Sequence, residues 1–249
     1  MTLELQGLRA GYGRADAIVH GVDIVVEDGS IAALIGPNGA GKSTIMKALF
    51  GSASLLGGSV VVDGQRCHPV TPARLLSRGV AYVPQLRNVF PSLTVRENLA
   101  ISRRGDRKRS LEVVLELFPE LRSLLRRPAG RLSGGQRNMV AVARALMGEP
   151  RTLLVDEGSA GLSPRAVHAF WAHLSKLRQL GVGALVIEQD VMAALTYADH
   201  AYLLRGGSVV LSQAAEEMRR RPDLGALFLG GNADLSSVGS SFGPSNGLR

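Results

Sequence analysis

The sequence predicts an α/β fold carrying a helical insert, and three observations lead there. Short apolar runs bounded by turn residues, such as Ile31-Ala32-Ala33-Leu34-Ile35 and Leu153-Leu154-Val155, have the form of buried strands. They alternate with segments of helical periodicity, the pattern that builds layered α/β domains. From about residue 86 to 150 the alternation gives way to helical segments with many arginines, and then it resumes. At 249 residues the chain is long enough for one sizeable α/β domain with a subdomain, or for two small domains.

In chain order, residues 2–6 and 22–27 read as strands bracketing a turn at Gly11-Tyr12-Gly13. The buried strand at 31–35 leads to a helix over about 43–50. Residues 58–62, with the β-branched Val60, Val61 and Val62, read as a strand ending at Asp63-Gly64, a hairpin signal. A short helix near 72–78 precedes the strand Val80-Ala81-Tyr82-Val83, which Pro84 stops. In the insert, residues 111–117 are helical and closed by Phe118-Pro119, and a longer helix runs from about Gln136 to Met147. Then follow a strand at 152–155, a helix at 164–180, a strand at 184–187 and a helix at 190–198. The helix at 164–180 opens with Ser163-Pro164, a cap followed by a proline at the first helical position. Its Val167, Phe170, Leu174 and Leu177 form one core-facing stripe. Strands near 200–204 and 208–211 and a helical end at 212–229 complete the domain, which spans 2–230. The Gly/Ser-rich residues 231–249 are expected to be a disordered tail.

Composition narrows the class. Cys67 is the single cysteine, so an internal disulfide and a cysteine-rich metal site are excluded. No apolar run approaches the ~18–20 residues that span a bilayer. The first six residues lack the basic-then-apolar layout of a secretory signal. A soluble, cytoplasmic protein is expected, so a membrane process would need a separate chain to cross the membrane. The net charge of +8 is concentrated in Arg103, Arg104, Arg107, Lys108 and Arg109 and in Arg122, Arg126, Arg127 and Arg131. These read as a solvated face, with a lipid-facing patch as the alternative. Nucleic acid is disfavoured because no aromatic side chains stand among them to stack bases. The five histidines, at 20, 68, 168, 173 and 200, have no metal-ligand spacing.

The chemistry concentrates in a few segments. Gly36-Pro37-Asn38-Gly39-Ala40-Gly41-Lys42-Ser43-Thr44 is a G-x-x-x-x-G-K-[ST] phosphate loop, placed between a strand and a helix as the motif requires. Its glycines let backbone N–H groups point at phosphate oxygens, and the helix adds its positive N-terminal end. Lys42 is expected to neutralise the β- and γ-phosphates of a nucleotide, Ser43 to hold Mg²⁺ and Thr44 to touch the α-phosphate. Asp156 and Glu157 end an apolar strand, at the carboxyl edge of the sheet where α/β proteins bind ligands. Ser133, Gly134 and Gly135, with Gln136, form a second anion-binding turn at a helix N-terminus.

The phosphate loop, then Leu132-Ser133-Gly134-Gly135-Gln136, then Leu153-Leu154-Val155-Asp156-Glu157, in this order, resemble the phosphate loop, signature loop and Walker B strand of ATP-binding cassette (ABC) proteins. The resemblance implies a P-loop NTPase of ABC type, with a mixed sheet core, an antiparallel β part and an inserted helical subdomain. It implies that Asp156 binds Mg²⁺ and that Glu157 is the general base for the attacking water. Gln85 matches the glutamine that contacts Mg²⁺ or the water and senses the partner. Tyr12 matches the aromatic that stacks on adenine. The signature turn would cap the γ-phosphate of ATP held by a second cassette chain, and residues 159–163 would link the two sites.

Two positions depart from the family pattern. Gly158 stands where proline is usual after Asp-Glu, which predicts a more mobile following segment. Gln189 stands where many members carry a histidine on the γ-phosphate, which predicts slower hydrolysis because an amide cannot become cationic. Within the family, Gly11-Tyr12-Gly13, the run 88–99, Phe118-Pro119-Glu120-Leu121, Gly161-Leu162-Ser163-Pro164 and Gln189 resemble the second, shorter ATPase of branched-chain amino-acid importers. That resemblance implies a second cassette ATPase, two transmembrane permease chains and, indirectly, a solute-binding protein as partners. It also implies a place on the inner face of the membrane. Importers of urea or amides, and a scaffold ATPase such as that of iron–sulfur cluster assembly, are the alternatives.

Overall fold

The computed structural model describes residues 2–13, 16–102 and 107–229; the expected tail from Gly231 and the side chains of 103–110 lie outside the described residues. The strands are β1 (Leu3–Gly11), β2 (Ala17–Val26), β3 (Ile31–Ile35), β4 (Ser54–Val62), β5 (Gln65–Arg66), β6 (Val80–Val83), β7 (Thr152–Asp156), β8 (Gly183–Ile187), β9 (His200–Arg205) and β10 (Ser208–Ala214). The helices are α1 (Lys42–Leu49), α2 (Pro72–Ser77), α3 (Val95–Ile101), α4 (Arg107–Leu117), α5 (Leu121–Leu124), α6 (Gly134–Leu146), α7 (Pro164–Ser175), α8 (Val191–Tyr197), α9 (Ala215–Arg219) and α10 (Leu224–Leu229). Among the described residues no helix is long and apolar enough to cross a membrane.

Two sheets form. One is antiparallel, in the order β2-β1-β4-β5; the other has six strands, in the order β10-β9-β3-β8-β7-β6. In the second, β9, β3, β8, β7 and β6 run parallel and β10 closes one edge antiparallel. Every residue of β3, β7 and β8 is buried, as expected of strands covered on both faces. Strand alternation sorts their side chains into two cores. Ala32, Leu34, Leu154, Leu185 and Ile187 pack with α1 and the antiparallel sheet. Ile31, Ala33, Ile35, Leu153, Val155 and Val186 pack beneath the helices, with Trp171 and Phe118 among the fully buried side chains there.

Several elements differ from expectation. β1 and β2 are longer than the alternating stretches because register shifts carry the pairing past irregular residues as far as Gly11 and Ala17. β4 starts four residues earlier than the strand expected at 58–62, at Ser54 opposite Gly11. Gly58 lies against the backbone of Gly7, a separation that a Cβ would prevent. The helix expected to reach 180 is α-helical only to Ser175 and tightens into a 3-10 turn, Lys176–Leu180, ended by Gly181 at φ 66°. α3 starts at a capping box in which Thr94 and Glu97 satisfy each other's backbone N–H groups.

All five parallel strands run the same way, so the loops after β3, β6, β7 and β8 meet at one edge. The phosphate loop, Gln85, Asp156-Glu157 and Glu188-Gln189 are those loops.

Candidate nucleotide site

The phosphate loop joins β3 to α1 and depends on its glycines. Gly36, Gly39 and Gly41 have φ of 155°, 80° and 104°, and a Cβ on Gly36 would collide with the Leu204 carbonyl. A cavity of about 210 Å³ lies over the loop, and Tyr12, Asn38 to Thr44, Lys47 and Glu157 line it together with Ile18. Tyr12 is half exposed, with the Lys47 ammonium 5.9 Å from its ring centroid. Sequence reasoning did not single out Lys47, one helical turn beyond Ser43; only its phase on α1 could have pointed to it.

Lys42 is buried and folds back on its own loop. Its Nζ donates to Gly36 O at 2.6 Å and to Pro37 O at 3.0 Å. Burial lowers its pKa, and the nearby carboxylates of Glu157, Asp156 and Glu188 oppose that shift. Two carbonyls therefore hold the cation where an anion would take it over.

Ser43 Oγ donates to Asp156 Oδ1 at 3.0 Å, so the hydroxyl of α1 and the carboxylate of β7 meet. Tyr82 Oη donates to the other oxygen, Oδ2, at 3.3 Å, and its ring stacks on Phe50 with centroids 4.6 Å apart. Burial raises the pKa of Asp156, and burial beside Asp156 raises that of Tyr82. A serine hydroxyl with one carboxylate is a donor set of hard oxygens suited to Mg²⁺ that keeps further positions for phosphate and water. The Gln85 amide is elsewhere, on Glu157.

Glu157 is buried, at a positive φ of 48° that is costly for a residue with a Cβ. Its N–H donates to Ile187 O at 3.0 Å. Gln85 Nε2 and Gln189 Nε2 both donate to its Oε2, at 2.5 Å and 2.7 Å. The structure thus brings Gln85, Glu157 and Gln189 together, from three different strand ends.

The segment after Glu157 is hydrogen-bonded on both sides of Gly158. Asn138 Nδ2 donates to the Gly158 carbonyl, and a Cβ on Gly158 would stand 2.7 Å from Phe170 Cε2 and 2.9 Å from Val155 Cγ1. Ser159 donates twice to Glu188, from its N–H to Oε1 at 3.0 Å and from its hydroxyl to Oε2 at 2.7 Å. Glycine here allows close packing. Glu188 is 1% exposed, and burial pushes its pKa up to about 7. Sequence reasoning passed over Glu188, Asn138 and Tyr82, none of which belongs to a motif by spacing.

The signature turn stands apart. Ser133 and Gln136 form a capping box: Gln136 N–H donates to Ser133 Oγ at 3.3 Å, and Ser133 N–H to Gln136 Oε1 at 3.1 Å. Ser133, Gly135 and Gln136 line a separate cavity of about 250 Å³ between α6 and α7, and Gly134 lies beside Leu162. None of the four lines the cavity over the phosphate loop.

Comparison with known proteins agrees with this geometry. The family described as ABC transporter matches residues 19–160. The chain is 38% identical over 224 residues to a high-affinity branched-chain amino acid transport ATP-binding protein, BraG, of Pseudomonas aeruginosa, an alignment covering 88% of the chain and 96% of that protein. It is 39% identical over 228 residues to a probable branched-chain amino acid transport ATP-binding protein, LivF, of Archaeoglobus fulgidus, covering 90% and 96%. Among solved structures, the ADP conformation of an ATP-binding cassette of an ABC transporter superposes with a TM-score of 0.82 at 27% identity, covering 92% of this chain and 99% of that one. Motif order, sheet-edge geometry and these likenesses agree: the chain belongs to the ABC transporter family, as an ATP-binding cassette with ATPase activity.

Proposed function

We propose that this chain is the ATP-hydrolysing subunit of an importer, which closes on ATP against a second cassette to drive uptake of a small polar solute, most specifically branched-chain amino acids. The observation that carries the catalytic part is the pair of amides on Glu157. Gln85 and Gln189 bind the same oxygen, Oε2, and so leave Oε1 to take the proton of the attacking water. When ATP enters, its phosphates take the place of the Gly36 and Pro37 carbonyls on Lys42, and the N–H groups of residues 39–44 close around them. Ser43 and Asp156 would hold Mg²⁺, which would supply charge neutralisation at the phosphates, and Tyr82 keeps the Asp156 carboxylate oriented. Gln85 acts on Mg²⁺ only if its amide leaves Glu157. Tyr12 offers its exposed ring to adenine.

Separation of the signature turn from the phosphate-loop cavity supports a composite site, in which Ser133 to Gln136 serve the nucleotide of the second chain. Residues of about 86–150 act as the helical subdomain of the 2–230 ATPase domain and meet the permease chains on the inner face of the membrane. Leu86, next to Gln85 in the chain, is exposed, and the exposed Leu76 and Ile101 line a cavity of about 400 Å³ suited to an apolar cytoplasmic segment. The substrate class rests on the likeness to the two branched-chain amino acid transport ATP-binding proteins.

The test is to tag the chain, solubilise native membranes gently and identify what co-purifies. Two multi-span proteins and a second cassette ATPase support the importer, and their solute-binding protein is then titrated with branched-chain amino acids. Soluble partners alone contradict the transport reading in favour of a scaffold ATPase.

A further inference from the structure

Two hydrogen bonds cross from the segment after Gln85 to the turn that holds Glu157. Asn88 Nδ2 donates to Asn138 Oδ1 at 2.7 Å, and Asn138 Nδ2 donates to the Gly158 carbonyl. Asn88 is buried in the loop before α3, Asn138 lies on α6 five residues beyond Ser133, and Gly158 follows Glu157 directly. The direction of this chain is fixed by chemistry. A backbone carbonyl only accepts, so Asn138 must turn its amide nitrogen to Gly158 and its oxygen to Asn88, which must then donate.

Both ends of the chain are firm. Asn98 is fully buried; its Oδ1 accepts from Phe90 N–H at 2.8 Å, and its Nδ2 donates to the carbonyls of Phe90, Leu93 and Thr94 at 3.0, 3.3 and 3.0 Å. The loop carrying Asn88 therefore moves with α3. The Arg144 guanidinium, also on α6, sits 5.3 Å from the Phe90 ring centroid and ties the same loop to the same helix. At the other end, Gly158 is flanked by Glu157, held by Gln85 and Gln189, and by Ser159, held by Glu188.

We infer that Asn138 is a positioning residue for ATP hydrolysis: through Asn88 and the Gly158 carbonyl it couples the loop after Gln85 to the orientation of Glu157. The inference rests on the reading of Glu157 as the base. A displacement of the loop at Asn88 reaches the Glu157 turn through one side chain, with α6 as the rigid element between them. Coupling of this kind is established only by measurement on both residues together.

The experiment uses Asn138→Ala, Asn138→Asp, Asn88→Ala and the double alanine variant in the full chain, within the assembly that hydrolyses ATP. Asn138→Asp keeps the acceptor for Asn88 but turns an oxygen to the Gly158 carbonyl, and it is nearly isosteric should the alanine variant fail to fold. Each measurement pairs kcat and KM for ATP with hydrogen exchange of the amides of 157–160. Either change at Asn138 is expected to lower kcat about fivefold to tenfold with KM within about twofold, and to speed that exchange about fivefold, as loss of one buried hydrogen bond implies. Asn88→Ala shifts both in the same direction, and the double variant is no worse than Asn138→Ala alone. Unchanged kcat, unchanged exchange, or effects of the two asparagines that simply multiply would each overturn the inference. Full activity in Glu157→Gln would instead remove the base, while the effect on exchange would stand.

Discussion

The Gln189 amide donates to Glu157 Oε2 at 2.7 Å, so the residue standing at the family's γ-phosphate histidine position holds the candidate base itself. Gln85, after the strand on the other side of β7, reaches the same oxygen at 2.5 Å. A neutral amide orients the carboxylate but brings no positive charge to the phosphate as hydrolysis proceeds.

Replacing Gln189 with histidine supplies a donor that can be protonated. The expected result is a rise in kcat of about three- to tenfold near neutral pH, the worth of roughly 1 kcal/mol from a charge-assisted hydrogen bond. Steady-state ATPase rates at saturating ATP check it, and a rate equal to or below that of the parent contradicts it.

Glu188 gives the protein a pH signature. Burial raises its pKa from 4.5 to about 7 on folding, so within that window the folded chain keeps a proton that the unfolded chain has released. Stability contributed by this group is therefore lost as pH rises through the window, by at most about 3.5 kcal/mol. Glu188→Gln, whose amide can still meet both groups of Ser159, removes the dependence. Thermal melts at about pH 5 and pH 8 should show the variant gaining on the parent at the higher pH. A gap that stays constant would place the carboxyl's titration elsewhere.

Gly158 is where a side chain does not fit. Its Cβ would press on Phe170, which is 6% exposed, and on Val155, so neither neighbour has room to retreat. Gly158→Ala should cost about 1–3 kcal/mol, the usual penalty for overpacking. Urea midpoints measure this, and adding Phe170→Leu should restore part of the loss. No change in the single variant would mean that the turn is looser than its hydrogen bonds imply.

Much of this site was legible in the sequence because its chemistry is tied to contiguous spacing. The glycines of 36–41, Lys42 and Ser43 announce a phosphate loop, and the apolar run ending at Asp156 places a carboxylate at the sheet edge. The parallel strands were legible too, since burial on both faces makes continuous apolar runs of them. β1, β2 and β4 were shortened in expectation because bulges and glycines break the period of two. α3 carried a readable capping box at Thr94 and Glu97 that helical periodicity alone does not reveal in seven residues. The Asn88–Asn138–Gly158 chain and the Glu188–Ser159 pair were not legible. Their partners lie 20 to 50 residues apart, and asparagine or glutamate carries no preference for a tertiary partner.

The most direct measurement is ATP binding and hydrolysis by Glu157→Gln beside the parent chain. If the carboxylate held by Gln85 and Gln189 takes the proton of the attacking water, the variant binds ATP as the parent does. Its turnover falls about 10²- to 10⁴-fold, and it accumulates as an ATP-bound dimer. Turnover close to that of the parent would contradict the account and leave the two amides holding a side chain with no part in the reaction.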